Sequence, residues 1–531
     1  MALIALSRTK FVKLAVADKA THTRTKAVVR TRARACTATA ASTLTTFRQI
    51  RPRGKMVSVR ATVTENRPKP ADSDKGTRDE ASPNGFHLHF GGGRLGFGLV
   101  FPALVASNVP FAVMQPPFAE FAPILESGNA RVKVTINNSE AIETGLRIVT
   151  EADDVSDLHE KVGGSLVLIN EGEKWVHLIG KATSFSCSIG PKVAQIIGPV
   201  LLANIPERPL YEQPILYGCE NDHGAVKQLA AVLEGRVRVV PCMVDRICSD
   251  RLIQAEQIVV TTEPWEGTII PLTPLDTLID PQGVVPSMPI PLGGEVVFMP
   301  RTKEIADYRY TRKLYFVNHM HTTLALMTLA RYRQEKHIST EALLEGDGAC
   351  IPLPLVNPDK MPMYQKMELK AWMVAQILML MKEYEADIMM EAHDVSNIDD
   401  LSRSLVEVAT QRSARFATVY DTCDRVLGAG VACRFEGRLV PAYKAVEEML
   451  SQVDEWPEDS PQNRVLYHSG LSLYDVYWAL KRMVSEGEEI AATDLQKRSG
   501  PEDDDHGEVR QAWMEDSMDD LKGALDWLVC S

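Results

Sequence analysis

Apolar and polar positions change rhythm along this chain, and the changes mark its elements. Phe86-His87-Leu88-His89-Phe90 alternates with a period of two, as a short strand does. It runs into Gly91-Gly92-Gly93-Arg94-Leu95-Gly96 and then an apolar helix from about Leu95 to Ser107. A second strand spans Pro110 to Met114. Further apolar runs at Arg147–Val149, Ser165–Ile169 and Pro214–Tyr217 read as strands, and an amphipathic helix opens at Ser188-Ile189-Gly190-Pro191-Lys192 and reaches about Leu202. Strands interleaved with helices predict a parallel α/β sheet. From about Tyr308 to Leu450 the period becomes helical, most clearly from Met367 to Tyr384, whose Met367, Met373, Met379 and Met381 suit a core face. Leu466–Met483 and Gln511–Leu528 also read as helices, with the acidic loop Glu502–His506 between them.

The glycines sharpen this picture. Strand, Gly-x-Gly-x-x-Gly, helix and strand form the context in which the pattern binds a dinucleotide. Gly91 permits the tight turn, Gly93 lets backbone approach a pyrophosphate, and Gly96 lets the helix pack on the strand. The helix N-terminus supplies N–H groups and partial positive charge to phosphates. A glycine-rich turn in an unrelated α/β domain is the alternative. An acid for the ribose hydroxyls is expected at the end of the second strand, where the chain has Met114-Gln115-Pro116-Pro117. Gln115 can bond a ribose and does not repel a 2′-phosphate, but no arginine follows closely, so NAD and NADP both stay open. The fold expected is an N-terminal Rossmann-type dinucleotide-binding domain, residues 85–300, followed by a mostly α-helical domain, residues 301–453.

Length and charge set the remaining boundaries. At 531 residues the chain needs more than one core. Residues 1–60 hold 14 Lys+Arg against one acid, Asp18, while the remainder is strongly acidic. An acidic body argues against nucleic-acid binding. The basic, Ala/Thr/Ser-rich start reads as a chloroplast transit peptide over residues 1–61, with a mitochondrial one or a basic binding arm as alternatives. Residues 62–84 read as a linker and 454–531 as an acidic helical extension, solvated or partner-binding. No run of eighteen apolar residues suggests a membrane span. The nine cysteines are scattered without a Cys-x-x-Cys, and no metal site is read. His87 and His89 read as flanking a sheet edge or the cofactor mouth, whereas His319 and His321 lie two apart on a helix and cannot share a face.

The densest chemistry is in Arg312-Lys313-Leu314-Tyr315-Phe316-Val317-Asn318-His319-Met320-His321. Burying Lys, Asn and His together is costly unless they are paired or used. At about 100° per residue, Lys313, Asn318 and His321 fall within roughly 140° and can line one wall of a pocket. Alternatively, Lys313 reaches to the surface and His321 is a satisfied core residue. Asn221, in Cys219-Glu220-Asn221 after a strand, can face a ligand or cap a helix. Asp245-Arg246 reads as a structural ion pair, and Glu263-Pro264-Trp265 as a strand with a buried Trp.

Together these blocks resemble the long-chain, zinc-independent polyol dehydrogenases, closest to mannitol-1-phosphate 5-dehydrogenase-like members. The resemblance spans roughly residues 86–445. It rests on the glycine loop, Ser188–Pro191, Cys219–Asn221, Val244-Asp245-Arg246-Ile247, the Lys-x4-Asn-x2-His spacing, and Asp424–Val426 with Gly437–Ala442. It implies metal-independent hydride transfer between NAD or NADP and a sugar alcohol, or its phosphate, and the matching ketose. Lys313 would act as acid/base, Asn221 and Asn318 as donors to the developing alkoxide, and His321 as an orienting group. The nucleotide set would be Gly91, Gly92, Gly93, Arg94, Leu95, Gly96, Gln115 and Ser188. Two departures stand out. No acid lies between Asp307 and Lys313, and the C-terminal block keeps only Arg425, Arg434 and Arg438. A non-catalytic dinucleotide-binding descendant is therefore the rival reading.

Overall fold

The computed structural model describes residues 85–137, 145–151, 163–169, 173–274, 290–337, 352–353, 363–418, 421–427 and 430–492. The expected transit peptide, the linker at 62–84, the acidic loop and the helix at 511–528 lie outside them. The strands of the main sheet are β1 (His87–Phe90), β2 (Phe111–Met114), β3 (Arg131–Ile136), β4 (Leu146–Val149), β5 (Gly164–Val167), β6 (Ser184–Cys187), β7 (Ile215–Gly218), β8 (Arg238–Asp245), β9 (Cys248–Ile253), β10 (Gln257–Thr262) and β11 (Thr268–Pro271). Their order is β11-β8-β7-β6-β1-β2-β5-β4-β3-β10-β9. β5-β2-β1-β6-β7-β8 is an all-parallel run with the 3-2-1-4-5-6 order of a dinucleotide-binding sheet. Its direction of winding reverses between β1 and β6, the crevice where such sheets bind ligands.

Both faces of this sheet are covered, and its central strands β1, β2, β6 and β7 are buried along their whole length. Phe111, Val113, Leu166 and Val240 pack with Phe97 and Phe101 of the helix after the glycine loop. Leu88, Phe90, Ala112, Met114 and Phe185 pack with Val193, Ile197 and Leu201 of the helix Val193–Asn204.

His87 and His89 are not at a sheet edge. They sit on the central strand β1, fully buried, in a ladder with β6. His87 Nδ1 and Nε2 meet Ser184 Oγ and Ser186 Oγ at 2.9 and 2.8 Å, and His89 Nδ1 meets Ser186 Oγ at 2.7 Å. Small hydroxyls on β6 satisfy both rings, and burial holds His89 down at about pKa 4, so it stays neutral.

The helical region packs around Met363–Glu383. This helix is central rather than amphipathic: Leu369 to Met381 is buried on every side, with Met373, Met379 and Met381 in the core and Met367 exposed. Two further expectations change. The stretch Leu466–Met483 is not one helix but two, Pro461–Ser469 and Leu473–Ala491, separated by Gly470 in a left-handed turn and restarted by a Ser472/Asp475 capping box. Nor is 454–492 a solvated extension. Val465, Val476, Leu480 and Ile490 belong to the same core as Trp372 and Leu378.

Candidate active site

The glycine loop is held from behind. Gly91 has φ +115°, and a Cβ there would lie 2.7 Å from the Ser188 carbonyl; at Gly96 one would lie 2.2 Å from the Gly91 carbonyl. His89 Nε2 contacts the Gly91 oxygen at 3.0 Å, and Ser188 Oγ donates to it at 3.2 Å. Arg251, on β9, donates to the Gly92 carbonyl and pairs with Glu120. Gly93 differs: its nearest foreign atom to a Cβ is 3.8 Å away, on the side open to the cleft. Backbone approach by a phosphate is possible there, as a dinucleotide requires. Arg94, Leu95 and Ser188 also line the cleft, whereas Gly91, Gly92 and Gly96 shape the loop beneath it.

Gln115 is engaged by the glycine loop and does not line the cleft. It is 6% exposed. Its Oε1 accepts from the Gly92 N–H at 2.7 Å and its Nε2 donates to the Pro116 carbonyl at 3.2 Å. Both ends of the amide are used to fix the loop. A glutamine immediately after the strand is near enough to do this, which the sequence pattern does not distinguish from ribose binding.

The cleft measures about 910 Å³ and lies at the carboxyl ends of β1, β6, β7 and β8. Its opposite wall is one long helical stretch in three parts: Lys303–Lys313 and Met320–Lys336 are α-helical, and Leu314–His319 between them is a π turn. Hydrogen bonding from i to i+5 stacks residues five apart. Asn318 is thereby brought toward the face of Lys313, from which it would stand roughly 140° away in an unbroken α-helix. Lys313, Asn318 and His321 all line the cleft, as does Asn221 from the turn after β7. His319 points elsewhere, with Nδ1 3.1 Å from Gln376 Oε1 in the helical core.

Lys313 Nζ donates to Asn221 Oδ1 at 3.2 Å, joining the two walls. An ammonium can only donate, so the atom facing it is the amide oxygen, and the NH₂ of Asn221 is left for another acceptor. Burial pushes the Lys313 pKa down to about 8, Asp245 pulls it up, and Arg415 and Arg438 lower it further. His321 lies against Phe416, ring centroids 4.8 Å apart.

Several contributors are not evident from the motifs. Glu220 accepts from the Ile189 and Gly190 N–H groups at 2.6 and 2.9 Å, locking the Ser188–Pro191 turn over the cleft. Burial lifts its pKa to about 7 against those two donors. His223 stacks on Tyr310 at 4.5 Å, and Asp222 caps the following helix through the Ala225 N–H. Arg438 donates to the Asn318 carbonyl and to Thr322 Oγ1, both at 2.7 Å, and lines the cleft with Arg434. The side chain of Arg425 lies outside the described residues.

Asp245 does not pair with Arg246. Its oxygens accept from Arg415 at 2.8 Å and Arg412 at 3.2 Å, whereas Arg246 donates to the Gly98 carbonyl at 2.6 Å. Glu263 follows β10 rather than lying in a strand. It binds Arg415, and Trp265 is half-buried beneath the guanidiniums of Arg412 and Arg415, at 4.0 and 4.7 Å. Sequence neighbours do not reveal these pairs because the arginines come from 152 to 170 residues away.

Among the described residues, no group of three or more His, Cys, Asp or Glu side chains is placed to hold a metal, and no helix is long and apolar enough to cross a membrane.

No family model and no curated protein matches this chain. Among solved structures, it aligns with octopine dehydrogenase with NADH and L-arginine at TM-score 0.36 and 12% identity, over 84% of this chain and 98% of that one. Octopine dehydrogenase with NADH and pyruvate gives TM-score 0.35 and 13% identity over the same shares. Mycobacterium tuberculosis 3-hydroxyisobutyrate dehydrogenase with L-serine gives TM-score 0.23 and 11% identity, over 65% and 98%. Likeness this distant adds nothing to what the strand order already shows.

Proposed function

We propose that the chain is an NAD- or NADP-dependent oxidoreductase that interconverts a sugar alcohol, or its phosphate, with the matching ketose, using Lys313 as acid/base. The observation that carries this reading is the Lys313–Asn221 contact beside the open face of Gly93. A half-buried amine of lowered pKa shares its cleft with a nucleotide-type loop at the switch point of a 3-2-1-4-5-6 sheet. A bound nicotinamide would accept or supply the hydride. In oxidation, neutral Lys313 takes the hydroxyl proton on Nζ; in reduction, its ammonium returns it. Asn221 presents its carbonyl oxygen to Lys313 and its NH₂ to the substrate oxygen, and Asn318 and His321 offer polar atoms from the same wall. Arg434 and Arg438, which line the same cleft, favour an anionic substituent on the substrate.

The test is nicotinamide absorbance with fructose 6-phosphate and fructose, each with NADH and NADPH. Turnover of either sugar that Lys313→Ala abolishes while nucleotide binding persists supports the proposal. Turnover unchanged by that substitution removes Lys313 from the mechanism. Nucleotide binding with no turnover of any polyol or ketose favours instead the non-catalytic dinucleotide-binding reading. Chloroplast delivery by residues 1–61 is part of the proposal and is checked by fusing that segment to a fluorescent protein. Mitochondrial fluorescence would replace it.

A further inference from the structure

A second, smaller cavity of about 30 Å³ shares Lys313 with the cleft but reaches into the junction between sheet and helices. Four cationic side chains line it, Arg309, Arg312, Lys313 and Arg412, against one carboxylate, Asp245. That carboxylate is already matched, since each of its oxygens accepts from an arginine, Arg415 or Arg412. Arg309 is held by the Ala392 carbonyl at 2.7 Å and by the Phe298 ring at 3.7 Å, yet its Nε is buried with no hydrogen-bond partner. Arg312 leans on His393 Nε2 at 3.0 Å, and burial beside Arg312 and Arg309 keeps that imidazole neutral, its pKa pushed down to about 3. Burial, with repulsion from Arg312 and Arg412, brings Arg309 down to about 10. Half-buried cations in excess of acids are costly unless something neutralises them.

We propose that this cavity is a binding site for a small monovalent anion of chloride or bromide size, held by the guanidiniums of Arg309, Arg312 and Arg412 beneath Lys313. The volume admits one or two water-sized spheres, room for an ion of that size. The inference stands on the charge census of the junction and is independent of any reaction in the cleft.

The test uses the full chain. Thermal unfolding is followed at fixed ionic strength while gluconate is replaced by chloride. A site that binds only the folded state makes Tm climb with the logarithm of chloride concentration. That climb is expected in the wild type and lost in Arg309→Met. An equal response to chloride and gluconate, or none, overturns the site. Crystals grown in bromide decide the matter if Arg309→Met does not fold. An anomalous peak between Arg309, Arg312 and Arg412 supports the proposal, whereas peaks at surface arginines alone, an adventitious ion only, or waters in the cavity refute it.

Discussion

Arg415→Met tests whether the junction between sheet and helices is held by charge. Arg415 is 7% exposed and reaches two carboxylates, Asp245 (5%) at the end of β8 and Glu263 (0%) just after β10. Its Nε lies 2.6 Å from Glu263 and its Nη1 2.8 Å from Asp245. Two unit charges about 4 Å apart attract by about 4 kcal/mol at an effective dielectric constant near 20. Deleting one partner of a buried pair typically costs about 3–5 kcal/mol, because the other charge is left behind. Here Glu263 is left without its arginine while Asp245 keeps Arg412, so a loss within that range is expected at neutral pH. Methionine keeps the volume, so little of the loss comes from a cavity. The pH dependence supplies a second check. Burial works against ionisation of Asp245, but Arg415 and Arg412 outweigh it and hold its pKa below the usual carboxylate value. Such a group stabilises above its unfolded pKa, about 4, and loses that contribution as pH falls through its folded pKa. The deficit of Arg415→Met should therefore be largest at neutral pH and shrink toward acid. Urea unfolding followed by far-UV circular dichroism measures it, and a cycle with Glu263→Met should show strongly non-additive losses. A deficit under about 1 kcal/mol, or additivity in the cycle, would refute the reasoning, since buried pairs do not break that cheaply.

Other outcomes follow from the same geometry. Gly93→Val should fold normally but lose nucleotide binding in a fluorescence titration, because its side chain enters open cleft; Gly96→Ala should lower Tm, because its Cβ would meet the Gly91 carbonyl. Gln115→Ala should cost about 1–3 kcal/mol by orphaning the Gly92 N–H, without changing the NADH-to-NADPH preference, since Gln115 faces the loop and not the cleft. With Lys313 at about 8, polyol oxidation should rise with pH to a plateau above that value and ketose reduction should fall, both measured as kcat against pH. Lys313→Arg, which cannot deprotonate, should lose about 10²–10⁴-fold in oxidation at every pH.

The sequence made the glycine-loop half of the site legible because its signals are local. A strand, three spaced glycines and a helix lie within 22 residues, and each acts through backbone that its neighbours fix. The Lys313, Asn318 and His321 wall was legible for the same reason, although the π turn that aligns it leaves no mark in the hydrophobic period. What stayed hidden was long-range pairing. His87 and His89 look like edge residues until the parallel register brings Ser184 and Ser186 beside them. Asp245 and Arg246 look like partners until the fold delivers Arg412 and Arg415. Val465 to Ile490 look peripheral because a helix with charged residues on one side reads alike whether its apolar side meets a domain or nothing.

These hidden pairs have a chemical consequence for Lys313. An amine useful near neutral pH must lose part of its affinity for the proton without ceasing to be charged when the proton is needed. Burial alone would do the first, and Asp245 alone would undo it. The junction supplies both, with Asp245 on the sheet side raising the pKa and Arg415 and Arg438 on the helical side lowering it. Asp245 can be this close to Lys313 without neutralising it because Arg412 and Arg415 occupy its oxygens. Asn221, not a carboxylate, then orients the amine, so it is aimed without being charged further. The contacts that hold the helices on the sheet are thus the contacts that tune the lysine, and neither the helical wall nor the sheet carries the site by itself.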